Sequence, residues 1–294
     1  MRAHTGHMRK RIRLTAILLA TALSNATAQV RDTIPRVSLF TWEDAVLGAA
    51  FIGGTYALRP VDKKWAERLQ DPRNQQNRFL GKVATGFRTI ADPGALIIGA
   101  SLYTIGRVSG KDRLADLGLH GTEALIVGAL TADGMKVLFG RARPYVKSST
   151  DSTFNPDDWQ VGRGLRQEQF RSFPSGHTTA GFAAAAAVTN ETSRWWPGSQ
   201  WYIGPIMFGG ATMIGLSRMY NNRHWASDVM MGAAIGTFAG NKVVRYYHRV
   251  NPNNKLDQWL LDFSVSPVHT ADGLHLSWSI TPRLAPPRPS RSVR

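Results

Sequence analysis

Six stretches of the chain are apolar, rich in small residues and of helical length: residues 45–58, 93–106, 114–139, 178–189, 202–216 and 229–238. They are mostly too long for strands, and polar connectors separate them. The pattern therefore predicts an all-α bundle of about six helices that bury one another. With 43% hydrophobic and 19% charged residues among 294, the chain is too apolar for disorder and suited to a packed core. A membrane span needs about 20 mostly apolar residues. Most of these runs are shorter, and the long one contains Asp116, His120, Glu123 and Asp133. Residues 195–217 carry Arg218 only beyond their end but are interrupted by Pro197, Gly198 and Pro205. Mean hydropathy is −0.22. The balance favours a soluble or peripheral bundle, with a membrane-embedded one as the alternative.

The two ends differ from the middle. Residues 1–28 hold Arg2, Arg9, Lys10, Arg11 and Arg13 with no acid, then a short apolar run, then Ala26-Thr27-Ala28. A basic start, apolar middle and small-residue end form a secretory signal, so the chain is expected in the periplasm or cell envelope. At the other end, Leu274, Leu276, Trp278 and Ile280 alternate with polar residues, as do residues 263–266, with Asp272-Gly273 between. That is strand period, and it predicts a small β-hairpin over 259–281. Residues 282–294 are Pro/Arg-rich and read as a disordered tail. The helical domain is expected over 42–248.

Lys and Arg number 36 against 20 Asp and Glu, a net charge of +16. This predicts an anionic partner: a phosphorylated small molecule or lipid, or an anionic membrane surface. Nucleic acid is disfavoured because the charge is dispersed and the chain reads as exported. No cysteine is present, which excludes disulfides, thiolate zinc sites and cysteine nucleophiles. Oligomeric state leaves no mark in the sequence.

Three segments carry the chemistry. Lys136 and Arg143 are two helical turns apart and share a face if the helix continues to Pro144. Ser175, Gly176 and His177 sit where the alanine-rich helix begins, and helix N-termini offer free N–H groups to a phosphate. His177 in the first turn could donate a proton to a leaving oxygen. Arg218 supplies a planar fork for phosphate oxygens. His224 and Asp228, four apart, make an imidazole–carboxylate pair on one helical face. Each segment alone also has an ordinary reading: cations complementing a helix end, a capped helix, a surface ion pair. Together, three cations, a hydroxyl and a helix start suit one tetrahedral oxyanion, with two histidines as nucleophile and acid. No metal-ligand spacing is apparent: His-Glu-x-x-His is absent, and His248, His269 and His275 are scattered. The expectation is chemistry without a metal or cofactor.

These residues resemble the signature of the type 2 phosphatidic acid phosphatase and vanadium haloperoxidase superfamily. The pattern Lys-x6-Arg-Pro is met by Lys136, Arg143 and Pro144, and Pro-Ser-Gly-His by Pro174 to His177. Ser-Arg-x5-His-x3-Asp is met by Ser217, Arg218, His224 and Asp228. The resemblance implies that His224 is the nucleophile of a phosphohistidine mechanism, oriented by Asp228, and that His177 protonates the leaving group. It implies that Lys136, Arg143, Ser175, Gly176 and Arg218 bind the phosphoryl oxygens. The expected activity is hydrolysis of a phosphomonoester or pyrophosphate on a lipid or a periplasmic organic phosphate. Two alternatives are a vanadate-dependent haloperoxidase, the one case needing vanadate as cofactor, and a non-catalytic envelope protein that binds anionic lipid. The long connector 145–173 is expected to act as a lid that selects the rest of the substrate. Trp195, Trp196 and Trp201 read as core and rim aromatics. His120, Glu123 and Asp133 read as buried hydrogen-bonded groups or lid contacts.

Overall fold

The computed structural model describes residues 37–146, 154–270 and 273–280. The proposed signal, the tail 282–294 and part of the connector 145–173 lie outside them. The chain divides into two units, Met1–Ser38 and Leu39–Arg294, and every element described below belongs to the second.

The structure is mostly helical. In chain order the helices are α1 (Trp42–Leu58), α2 (Asp62–Leu69), α3 (Pro72–Gln75), α4 (Arg78–Thr89) and α5 (Ala95–Val108). They continue with α6 (Asp112–Phe139), α7 (Gly176–Trp195), α8 (Gln200–Tyr220), α9 (Ala226–Arg245) and α10 (Lys255–Asp262). A count of six is therefore too low for the described residues. The additional helices arise from short polar segments. Asn77 caps α4 by accepting from the N–H groups of Phe79 and Leu80, which starts a helix where charge alone suggested a connector. After α10, strands β1 (Phe263–Thr270) and β2 (Gly273–Ile280) pair antiparallel, Phe263 opposite Ile280 and Thr270 opposite Gly273.

Helix α7 is the centre. It packs against α6, α8 and α9, and Ala183, Ala185, Ala186 and Ala187 are fully buried. Alanine keeps the helix straight at no side-chain entropy cost and lets neighbours come close. The partner helix α9 answers with a glycine every fourth residue on one face. A Cβ at Gly236 would stand 2.3 Å from the carbonyl oxygen of Thr179, and one at Gly240 would stand 2.6 Å from that of Ala183. Backbone thus meets backbone, and this contact aims the start of α7 and the start of α9 at the same place.

Helix α6 ends earlier than Pro144. Gly140 adopts a left-handed conformation with φ of +57° and closes the helix with an N–H to the Lys136 carbonyl. A Cβ there would lie 1.8 Å from the Gln160 carbonyl oxygen. Arg143 consequently stands on a non-helical segment after α6 rather than on the helical face shared with Lys136.

Among the described residues no helix is long and apolar enough to cross a membrane. Large apolar side chains nevertheless face outward from α1, α6 and α8, including Ile52, Leu130, Ile206 and Trp201. Trp196 and Trp201 are exposed and Trp195 is half-buried, so these tryptophans are not part of the core.

Candidate active site

Lys136, Arg143, Gly176, His177, Arg218 and His224 line one cavity of about 830 Å³. Ser175 and Asp228 are fully buried behind it. The cavity opens at the first turn of α7. Gly176 is where the helix begins, and a Cβ there would sit 2.8 Å from the Lys136 ammonium. The missing side chain lets that ammonium lie against the helix N-terminus.

Ser175 is spent on the fold. Its Oγ accepts from the N–H of Thr178 at 3.4 Å and from the Thr178 hydroxyl at 2.8 Å. Its own N–H donates to the Asp228 carbonyl at 3.0 Å. What it offers the cavity is the geometry of the helix start.

His224 precedes α9 instead of riding on it. Its Nδ1 is 2.7 Å from the Ser172 carbonyl oxygen and 3.8 Å from Asp228 Oδ2. A carbonyl only accepts, so Nδ1 carries the proton and Nε2 keeps the lone pair. Asp228 instead receives the Ser172 hydroxyl at 2.6 Å, the Trp225 N–H at 2.9 Å and Arg141 Nη1 at 2.5 Å. The carboxylate thus holds the segment that holds the histidine.

Arg141 escaped the sequence reasoning. It is fully buried. Its Nη1 also reaches the Ser227 hydroxyl at 2.7 Å, and its Nη2 reaches Asp62 at 2.8 Å. Asp62 in turn accepts the Ser227 N–H at 2.9 Å. One guanidinium therefore joins α2, the segment after α6 and the start of α9. No period or motif marks Asp62 as its partner, because 79 positions separate the two.

The cavity is cationic. Arg88, Arg171 and Arg223 also line it, as do the acids Asp92, Asp133 and Glu168. Glu168 pairs with Arg143, Asp133 with Lys136 at 2.7 Å, and Asp92 lies 3.9 Å from His177 Nε2. Glu168 and Arg171 come from the connector 145–173. Its described part packs against the bundle, and Gly164 lies under the Lys136 carbonyl. The Nε atoms of Arg143 and Arg218 are buried without a hydrogen-bond partner. Buried donors of this kind are costly unless a ligand uses them.

Titration follows from this crowding. Burial, then the charges of Arg218, His224, Lys136 and Arg88, push His177 down to about 3. Burial is also the main cause at His224; the cations Arg143 and Arg218 add to it and Asp228 opposes it, leaving the imidazole pushed down to about 4. Burial and the neighbouring Arg143, Arg223 and Arg88 bring Arg218 down to about 10. All three shifts come first from burial and then from the surplus of cations over acids around the cavity.

The PAP2 superfamily model matches residues 119–252. This stretch is similar to the PAP2 superfamily. It includes Lys136, Arg143, His177, His224 and Asp228, the residues placed around or behind the cavity. Over 70 residues the chain is 47% identical to the lipid A 1-phosphatase of Porphyromonas gingivalis, covering 24% of this chain and 15% of that one. Over 120 residues it is 31% identical to a probable diacylglycerol pyrophosphate phosphatase of Schizosaccharomyces pombe, covering 36% and 42%. The chain thus spans less than half the length of these curated relatives. Among solved structures, LpxE of Aquifex aeolicus aligns with a TM-score of 0.44 at 22% identity over 63% of this chain and 96% of that one. A PAP2-type phosphatidylglycerolphosphate phosphatase of Bacillus subtilis aligns with a TM-score of 0.47 at 16% identity, over 71% and 98%.

Proposed function

We propose that the protein is a phosphatase that removes a terminal phosphate from a lipid through a phosphohistidine on His224. The observation that carries this reading is the pair of buried, unpartnered Nε donors of Arg143 and Arg218 in one cavity with two histidines. Lys136 and the N–H groups at the start of α7 complete a cradle for three phosphoryl oxygens.

In the first step the Nε2 lone pair of His224 attacks phosphorus. The ester P–O bond breaks, and the leaving oxygen takes the proton of His177. In the second step water attacks phosphorus and gives its proton to the now neutral His177, and the P–N bond returns its electrons to His224. A bound phosphate adds negative charge to this cationic site, so His177 gains its proton together with the substrate. Asp228 acts from a distance as a positioning residue, through Ser172 and Arg141.

The lipid part of the reading rests on a second, apolar groove of about 310 Å³. Ile90, Ile98, Leu102, Leu117, Val188 and Ile206 line it, and it shares Ala91 and Leu125 with the phosphate cavity. A charged head in one chamber and an acyl chain in the next matches this junction. The outward-facing apolar side chains of α1, α6 and α8 support work against a membrane surface. The lipid phosphatase names of both curated relatives agree with this substrate class.

The test is release of inorganic phosphate from phosphatidate in mixed micelles and from phenyl phosphate, with a chelator present. The wild-type chain should act on both, with the lipid favoured, and His224→Ala should abolish both. Turnover retained by His224→Ala would remove the mechanism.

A further inference from the structure

A second cluster lies far from the cavity. Along α6, sixteen residues separate His120 from Lys136, about 24 Å at the helical rise. Along α7, fourteen separate Glu191 from His177, about 21 Å. At this remote end His120 Nδ1 is 2.6 Å from Glu191 Oε1, and His248 Nε2 is 2.7 Å from the same oxygen. The three potential ligand atoms lie within 4.8 Å of one another. His120 and Glu191 are fully buried and His248 is half-buried. Asp257 Oδ1 stands 3.1 Å from His120 Nε2, and the Tyr247 ring stacks on the imidazole.

Protons alone do not satisfy the contacts of His248. His248 Nε2 faces Glu191 at 2.7 Å and Arg194 Nη1 at 2.5 Å. Protonated, it serves the carboxylate but opposes the guanidinium N–H. Bare, it accepts from Arg194 but directs a lone pair at the carboxylate oxygen. A divalent cation takes the lone pair of Nε2 and the charge of Glu191 together. Arg194 Nη1 also pairs with the other Glu191 oxygen, Oε2, at 2.9 Å, and with its side chain 43% exposed it can give up His248 while Oε1 is left to the ion. The surroundings favour a cation as well: Glu123 packs beside His120, and its Oε2 is buried without a partner.

We propose that His120, Glu191 and His248 form a binding site for a divalent transition-metal ion of the zinc type, which ties α6 and α7 to the turn after α9. Two imidazoles and one carboxylate are a donor set suited to such an ion, with a fourth position for water. Asp257 on the other nitrogen of His120 fixes the ring and raises its basicity, as outer carboxylates do behind metal-bound histidines. Bonds of about 2.0–2.2 Å require the ligand atoms now 2.6–2.7 Å apart to open by less than about 1 Å. The site is independent of the phosphate cavity and of the activity proposed there.

The test uses the full chain, stripped with a chelator and titrated with Co²⁺, then Zn²⁺. One equivalent of Co²⁺ should bind, show visible d–d absorption of a low-coordinate site, and be displaced by Zn²⁺. Bound Zn²⁺ should raise the unfolding temperature. His248→Ala should lose the equivalent while phosphate release stays unchanged. Arg194→Ala, an exposed substitution, should tighten Co²⁺ binding at least about tenfold by removing a nearby like charge. Substoichiometric binding by the wild type, a full equivalent retained in His248→Ala, or unchanged affinity in Arg194→Ala would overturn the site.

Discussion

His224 Nδ1 lies 2.7 Å from the carbonyl oxygen of Ser172, while the nearer oxygen of Asp228 is 3.8 Å away. The tautomer of the proposed nucleophile is thus set by backbone. Asp228→Asn should therefore cost on the order of 10²-fold in kcat or less, through lost charge near His224. His224→Asn should leave no measurable turnover. Steady-state kinetics on phenyl phosphate separates the two, and equal inactivation would mean that the carboxylate orients the ring directly.

Arg141 is the only cation whose hydrogen bonds join Asp62 to Asp228 among the described residues. Its removal leaves two buried carboxylates facing each other. Arg141→Met should lower stability by about 3–5 kcal/mol, the usual cost of breaking a buried ion pair from one side. Urea unfolding followed by circular dichroism measures this. A loss under about 1 kcal/mol would show that the triad does not hold the three segments together.

The histidine protons report on the cradle. His177 is pushed down to about 3 by burial first and then by positive surroundings that include Arg218, Lys136 and Arg88, so in the free protein it should stay neutral from pH 8 to pH 5. Inorganic phosphate adds the opposite charge, favours the imidazolium and raises the value. NMR titration of ¹⁵N-labelled histidine, with His177→Gln for assignment, checks both parts. A free-protein transition near 6.5 would contradict the geometry.

The apolar groove is open to filling. Gly210 lines it, and nothing lies within 4 Å of a Cβ built there. Gly210→Leu should raise KM for phosphatidate several-fold and leave hydrolysis of phenyl phosphate unaltered. Parallel changes in both substrates would place the acyl chain elsewhere.

The α7–α9 contact is the opposite case. Gly236→Ala drives a methyl to 2.3 Å from the Thr179 carbonyl oxygen, and the two backbones must separate. Overpacking of this kind costs about 1–3 kcal/mol, and the displaced starts of α7 and α9 should lower kcat as well. An unshifted denaturation midpoint would show that the helices have room to give.

Local signals were legible in the chain itself. Apolar runs of helical length mark α1, α5, α6, α7, α8 and α9, because each must bury a face against its neighbours. Motif spacing named six residues that share the cavity, since a tetrahedral anion needs several donors of known type. What lay beyond the sequence is whatever depends on distance along the chain. The left-handed Gly140 removes Arg143 from the helix of Lys136. Arg141 finds Asp62 across 79 positions, His224 finds Ser172 across 52, and His120 finds Glu191 across 71. None of these pairs has a period or a spacing of its own. They meet because small-residue helix faces pack without side chains between them, and only that close packing decides which distant polar groups become neighbours.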